Sequence, residues 1–128
     1  MDAGQIYNSW PLMGSNYFPD DNKYLSLFKL SAFSDPSLVQ FMHRNLAYII
    51  LIFYMIIIVK IYSKKLINLY FSINLLGLIL IIQITLGIFT LIYGAQIYLA
   101  SMHQLSSIFL VSSSVYLLYL NTNQRLSN

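Results

Sequence analysis

The stretch Leu66–Tyr93, LINLYFSINLLGLILIIQITLGIFTLIY, contains no Asp, Glu, Lys or Arg, and its reading decides the fold. An α-helix of that length rises roughly 40 Å at 1.5 Å per residue, more than the ~30 Å of a bilayer's hydrocarbon core. Its interruptions, Asn74, Gly77, Gln83, Thr85 and Gly87, are small or uncharged, the residue types that membrane helices use against one another. Two further stretches read the same way, so spans are expected at about residues 38–61, 66–93 and 97–120. The first has an uninterrupted apolar part from Leu46 to Val59, preceded by a polar patch at Gln40 and His43–Asn45. Asp35-Pro36 starts it, because Asp can cap the free N–H groups of a first turn and Pro at the first helical position loses nothing. Turns are expected at Tyr62–Lys65 and Gly94-Ala95-Gln96, and Asn121–Asn128 reads as a short polar tail.

Composition agrees with this reading. Hydrophobic residues make up 58% of the chain and charged ones 9%, whereas an ordinary soluble domain carries about 25% charged residues. The fold class is therefore an all-α membrane protein with three transmembrane helices. The absence of cysteine excludes disulfides, Cys-ligated zinc and iron–sulfur clusters. The seven basic residues form no cluster, which removes nucleic acid as a partner. The first residues lack both a basic start and an apolar core, so no cleaved signal peptide is expected.

Residues 1–40 read as a loop region and residues 41–128 as the three-helix domain. All four acidic residues (Asp2, Asp20, Asp21, Asp35), all three prolines and the single Trp lie in the first part. Within it Tyr24, Leu25, Leu27, Phe28, Leu30 and Phe33 alternate with Lys23, Ser26, Lys29 and Ser31. Two forms are open there: a short helix in the membrane interface, or a folded loop packed on the helix ends. Lys60, Lys64, Lys65 and Arg125 flank one side of the spans, which marks that side as cytoplasmic or matrix. The loop region then faces outward, although Lys23 and Lys29 reduce the bias.

Both histidines fall inside spans, where an ionisable residue is a functional-site candidate by default. His43 follows Pro36 by seven residues and His103 follows Gln96 by seven, so each lies about 10 Å from a helix start on the same face. Two imidazoles at one level are what a bis-histidine heme requires, one nitrogen on each face of the porphyrin. Ala100, Ser107 and Ser114 share the His103 face and could admit a flat macrocycle, but small residues equally serve plain helix packing. That plainer role is kept for Ser106, Ser107 and Ser112–Ser114. Arg44 has two open roles near the outer interface: a heme propionate, or lipid headgroups.

Four strings carry a resemblance. They are Asp2–Gly14 (DAGQIYNSWPLMG), Asp35-Pro36 with Val39–Arg44 (VQFMHR), Gln83–Leu91 (QITLGIFTL) and Ala100–Gln104 (ASMHQ). In this order and spacing they resemble the second half of heme A synthases of the mitochondrial and alphaproteobacterial type. The resemblance implies an eight-helix protein of two four-helix halves that oxidises a methyl group of heme O to the formyl of heme A for cytochrome oxidase. It implies that His43 and His103 are the axial ligands of a heme b in the second half; Arg44 is expected as a further cofactor-binding residue from its place beside His43 alone. It also implies a mitochondrial inner membrane or a bacterial cytoplasmic membrane. Gln40 stands where the family's first half has a glutamate, which suits an electron-carrying heme better than a catalytic one.

On this reading the chain is part of a four-helix heme-binding half-bundle and a component of a heme A synthase. A separate polypeptide is expected to carry the missing helices and to complete the conversion of heme O. The same expectation rests on Gln40, Asn74 and Gln83, which lack evident partners within three helices. The alternatives are a noncatalytic heme-binding subunit for electron transfer or oxidase assembly, a degenerate remnant, and a structural subunit whose histidines only pack.

Overall fold

The computed structural model describes residues 4–126. Met1, Asp2, Ala3, Ser127 and Asn128 lie outside the described residues. Among the described residues regular structure is helical, apart from one isolated bridge between Met13 and Asn16. Three helices follow the loop region: α1 (Pro36–Ser63), α2 (Tyr70–Ile92) and α3 (Ile97–Leu126). Each is long and apolar enough to cross a membrane, and the chain is an integral membrane protein.

The boundaries differ from the sequence reading at two places. A 3-10 turn, Ile67–Leu69, precedes α2 after Lys65 takes a left-handed backbone conformation with φ 52°. The regular helix therefore starts later than Leu66. At the other end α3 continues to Leu126 instead of stopping near Leu120. Polarity alone does not end a helix: Asn121–Leu126 contains no Gly or Pro, and the Thr122 hydroxyl bonds back to the Leu118 carbonyl at 3.0 Å. Arg125 accordingly sits in the last turn of α3 and not in a tail.

The start of α1 is built as its residues suggest. Asp35 accepts from the Leu38 N–H at 3.0 Å, and Pro36 occupies the first turn. The loop region folds onto this start. Asp21 accepts from Ser37 Oγ at 2.6 Å and from the Tyr7 hydroxyl at 3.0 Å. Burial acts to raise the Asp21 carboxyl, but hydrogen bonds from Ser37, Tyr7 and Asn22 outweigh it and hold the group below its ordinary value. Asp20 is also lowered, first by the side chain of Asn16 and then by the N–H and hydroxyl of Ser15. Phe18, Ala32 and Leu38 form a small core here, with Phe18 edge-on to Phe41 at 5.1 Å between ring centres.

Two 3-10 turns, Tyr24–Phe28 and Leu30–Ser34, occupy the amphipathic stretch in place of one continuous helix. They bury Ala32 but leave Leu25, Phe28 and Leu30 at least three-quarters exposed.

A second core lies at the opposite end of the bundle. Ile61 of α1, Leu69, Ile73 and Leu76 at α2, and Leu117 of α3 pack together there. Tyr62 stacks on Tyr70 at 4.3 Å and exchanges hydrogen bonds with Asn74. Between the ends, α2 and α3 form a close hairpin whose connection uses left-handed Gly94 (φ 67°) and Ala95 (φ 54°).

Candidate functional site

The structure brings the two histidines together. His43 projects from the second turn of α1 and His103 from the second turn of α3, with ring centres 6.2 Å apart and planes at 79°. His43 is exposed, and among the described residues nothing hydrogen-bonds to its ring. His103 is only partly covered and is held on two sides by α2.

The holding group is Gln83. Its backbone carbonyl lies 3.1 Å from His103 Nδ1. A carbonyl oxygen only accepts, so Nδ1 carries the proton and donates, and Nε2 of the neutral ring is the acceptor. The Gln83 side-chain amide, 3.4 Å from Nε2, is a donor on that side. The other amide atom, Oε1, accepts from the Ser106 hydroxyl, which also lies 3.0 Å from the His103 carbonyl. Gly87, one turn after Gln83, lies under the imidazole: a Cβ there would sit 2.9 Å from His103 Cε1.

Arg44 turns onto the loop region. Its guanidinium is buried and donates to the carbonyls of Leu12 at 3.1 Å, Tyr7 at 3.2 Å and Pro11 at 3.5 Å. Gln40, one turn earlier on the same face, donates to the same Tyr7 carbonyl at 3.1 Å. The pair thus pins the Tyr7–Leu12 loop over the N-terminal end of α1. Among the described residues two buried polar atoms are without a partner, Arg44 Nε and Gln40 Oε1.

The expectation that Gln40, Asn74 and Gln83 lack partners is corrected by these contacts. Gln40 finds a loop carbonyl, Asn74 finds Tyr62, and Gln83 finds His103 and Ser106. Sequence reasoning missed Gln83 and Ser106 as companions of His103, since Gln83 sits twenty residues away on α2 and reaches Ser106, one turn beyond His103 on α3. The available signal was the Gln83-to-Gly87 spacing of one helical turn. Ser107 and Ser114, by contrast, turn their hydroxyls to carbonyls of their own helix.

Chemically, the pair offers two imidazole nitrogens to one metal centre. Among the described residues no group of three His, Cys, Asp or Glu side chains gathers that could hold a bare metal ion. Two protein donors suit an iron whose other four ligands come from a macrocycle.

The sequence profile of the family described as cytochrome oxidase assembly protein (COX15-CtaA) matches residues 1–115. A protein of Pelagibacter ubique named heme A synthase is 45% identical over 127 residues, covering 96% of this chain and 36% of the relative. Heme A synthase of Rickettsia prowazekii is 36% identical over 126 residues, with 96% and 36% covered. That of Rickettsia bellii is 41% identical over 119 residues, with 91% and 34% covered. The chain spans about a third of the length of these curated relatives. No solved structure matches it.

Proposed function

Because the chain belongs to the cytochrome oxidase assembly protein family, we propose that it forms the heme-holding part of a heme A synthase, with His43 and His103 as the axial ligands of a b-type heme. The observation that carries this reading is the meeting of the two rings at 6.2 Å. Metal–imidazole bonds of about 2.0 Å, with each nitrogen about 1 Å from its ring centre, require ring centres about 6 Å apart. The ring separation therefore supports one iron between the two imidazoles. A heme held by these two histidines would supply single-electron exchange, one part of what the oxidation of the heme O methyl group to the formyl of heme A requires.

The chain's own residues have distinct parts in this scheme. His43 and His103 bind, and Gln83 orients His103. Arg44 holds the loop over this end of the site, and its buried Nε–H, without a partner among the described residues, would be the donor to a propionate carboxylate. No carboxylate lies within the spans, so helices other than α1–α3 supply the heme O site and complete a four-helix half around this heme. Lys60, Lys64 and Lys65 support an orientation with the loop region on the outer side of an energy-conserving membrane, mitochondrial or bacterial.

The test has two readouts on the chain expressed in a heme O-producing membrane. The wild type is expected to show a low-spin bis-histidine spectrum that both His43→Ala and His103→Ala remove. Chromatography of the extracted hemes is expected to show heme A only when the remaining helices of the synthase are co-expressed. An unchanged spectrum in His103→Ala would refute the ligand assignment. Heme binding that never supports heme A formation in the complete assembly would favour a noncatalytic electron-transfer subunit.

A further inference from the structure

Two glycines of α2 share one geometric property. Along an α-helix a side chain leans over the turn on its N-terminal side, so the residue at i+4 covers the carbonyl of residue i. Glycine at i+4 leaves that carbonyl open, and its second lone pair is free to accept from outside the helix. Gly77 stands four residues after Ile73, whose carbonyl accepts from the Tyr54 hydroxyl of α1 at 3.4 Å. Gly87 stands four residues after Gln83, whose carbonyl faces His103 Nδ1 of α3 at 3.1 Å. In each case a Cβ on the glycine would collide with the visiting ring: Tyr54 at Gly77, and His103 at Gly87. The two positions are ten residues apart, which rotates one window from the other by about 80°. One therefore opens toward α1 and the other toward α3.

We propose that Gly87 and the Gln83 carbonyl are the positioning device for His103: the glycine uncovers the carbonyl, the carbonyl takes the Nδ1 proton, and Nε2 is left as the nitrogen that faces a metal. This deepens the heme reading and rests on it for the identity of the metal group. The alternative tautomer puts the proton on Nε2, where it blocks ligation and leaves Nδ1 lone pair against carbonyl lone pair. The Gln83 amide matches the same tautomer in the metal-free chain, because its N–H faces Nε2, and it gives that lone pair up when a metal binds. An N–H donated to a carbonyl also makes the imidazole a stronger base toward iron. Such a ligand favours the oxidised metal and lowers its potential. Gly87 and Gln83 are positioning residues; neither touches the reacting groups.

The tautomer can be read without any heme. The chain has two histidines, so a His43→Ala background labelled with 15N-histidine and placed in lipid bilayers reports His103 alone. Solid-state NMR is expected to find the proton on Nδ1. Gly87→Ala should move at least half of the population to the Nε2–H form, since the added methyl pushes the ring off the carbonyl. Gln83→Leu removes the amide but keeps the backbone carbonyl, and should retain the Nδ1 proton. An Nε2 proton in the parent, or loss of the Nδ1 proton in Gln83→Leu with its retention in Gly87→Ala, would overturn the proposal. In the heme-loaded chain with His43 restored, Gly87→Ala should raise the midpoint potential, and an unchanged potential would refute the link to the metal. If the loaded wild type shows no bis-histidine spectrum, the heme reading fails, while the NMR result on the metal-free chain still decides the tautomer.

Discussion

Replacing Arg44 by Leu should release the N-terminal loop from α1 without unfolding the bundle. The guanidinium makes its two shorter bonds to the Leu12 and Tyr7 carbonyls, at 3.1 and 3.2 Å. Hydrogen bonds from a charged donor contribute about 1.5–3 kcal/mol each. The lower end applies here, because neither carbonyl is orphaned by the change: Leu12 still accepts from Ser9 Oγ at 2.9 Å, and Tyr7 from Gln40 Nε2. The expected loss is about 3 kcal/mol, or a roughly 100-fold shift in the docking equilibrium of the loop. The Met13 amide is the reporter of choice, since it is fully buried and bonded to the Asn16 carbonyl at 2.7 Å. Its hydrogen exchange in bilayers should accelerate by about that factor in Arg44→Leu. Arg44→Lys, whose single ammonium reaches one carbonyl in place of two, should show about a 10-fold acceleration. Wild-type exchange at Met13 in the Leu variant would show that the loop is held by its own contacts and that the guanidinium is spent elsewhere.

Acid should loosen the same loop. Asp20 and Asp21 both have folded-state carboxyls below the ordinary value, so their contribution is fully present above about pH 4 and is lost as pH falls through the lowered values. Met13 protection is expected to hold from neutrality to about pH 4 and to decline below it, with a smaller decline in Asp21→Asn; identical protection at about pH 2 and pH 7 would contradict the linkage. Topology is testable cleanly because the chain contains no cysteine. A membrane-impermeant thiol reagent applied from the outer side should modify Gln96→Cys and spare Lys64→Cys, and the reverse pattern would invert the proposed orientation.

The spans and the histidine pair were legible because both depend on local rules. Charge-free length identifies a membrane helix, and equal distance from two helix starts places His43 and His103 at one depth. The partners of Arg44 were not legible. They are backbone carbonyls more than thirty residues away, and a carbonyl has no signature in the residue that bears it. The reach of α3 was underestimated for a related reason, since a polar composition was read as an end although nothing in Asn121–Leu126 stops a helix. Gln83 stood out as a polar residue in an apolar span, yet its use needed the α2–α3 register, which the sequence does not state. The spacing of Gly87 from Gln83 was visible, but its meaning depends on which helix passes over the opened carbonyl.

The two histidines are held by different kinds of structure, and this has a consequence for the site. His103 is fixed by its neighbour in a tight hairpin, through a carbonyl and an amide of α2. His43 has no such partner among the described residues; its place follows from the attitude of α1 alone. That helix is anchored inward by Ile61 in the inner core and by Tyr54 on the Ile73 carbonyl, and outward by Asp35, Ser37, Gln40 and Arg44 on the loop. The inward anchors lie more than ten residues from His43, while Gln40 and Arg44 flank it directly. Loosening the loop therefore disturbs His43 before His103. A heme held between them would lose its α1 ligand first, so the spectrum in acid or in Arg44→Leu should pass through a state with His103 still bound.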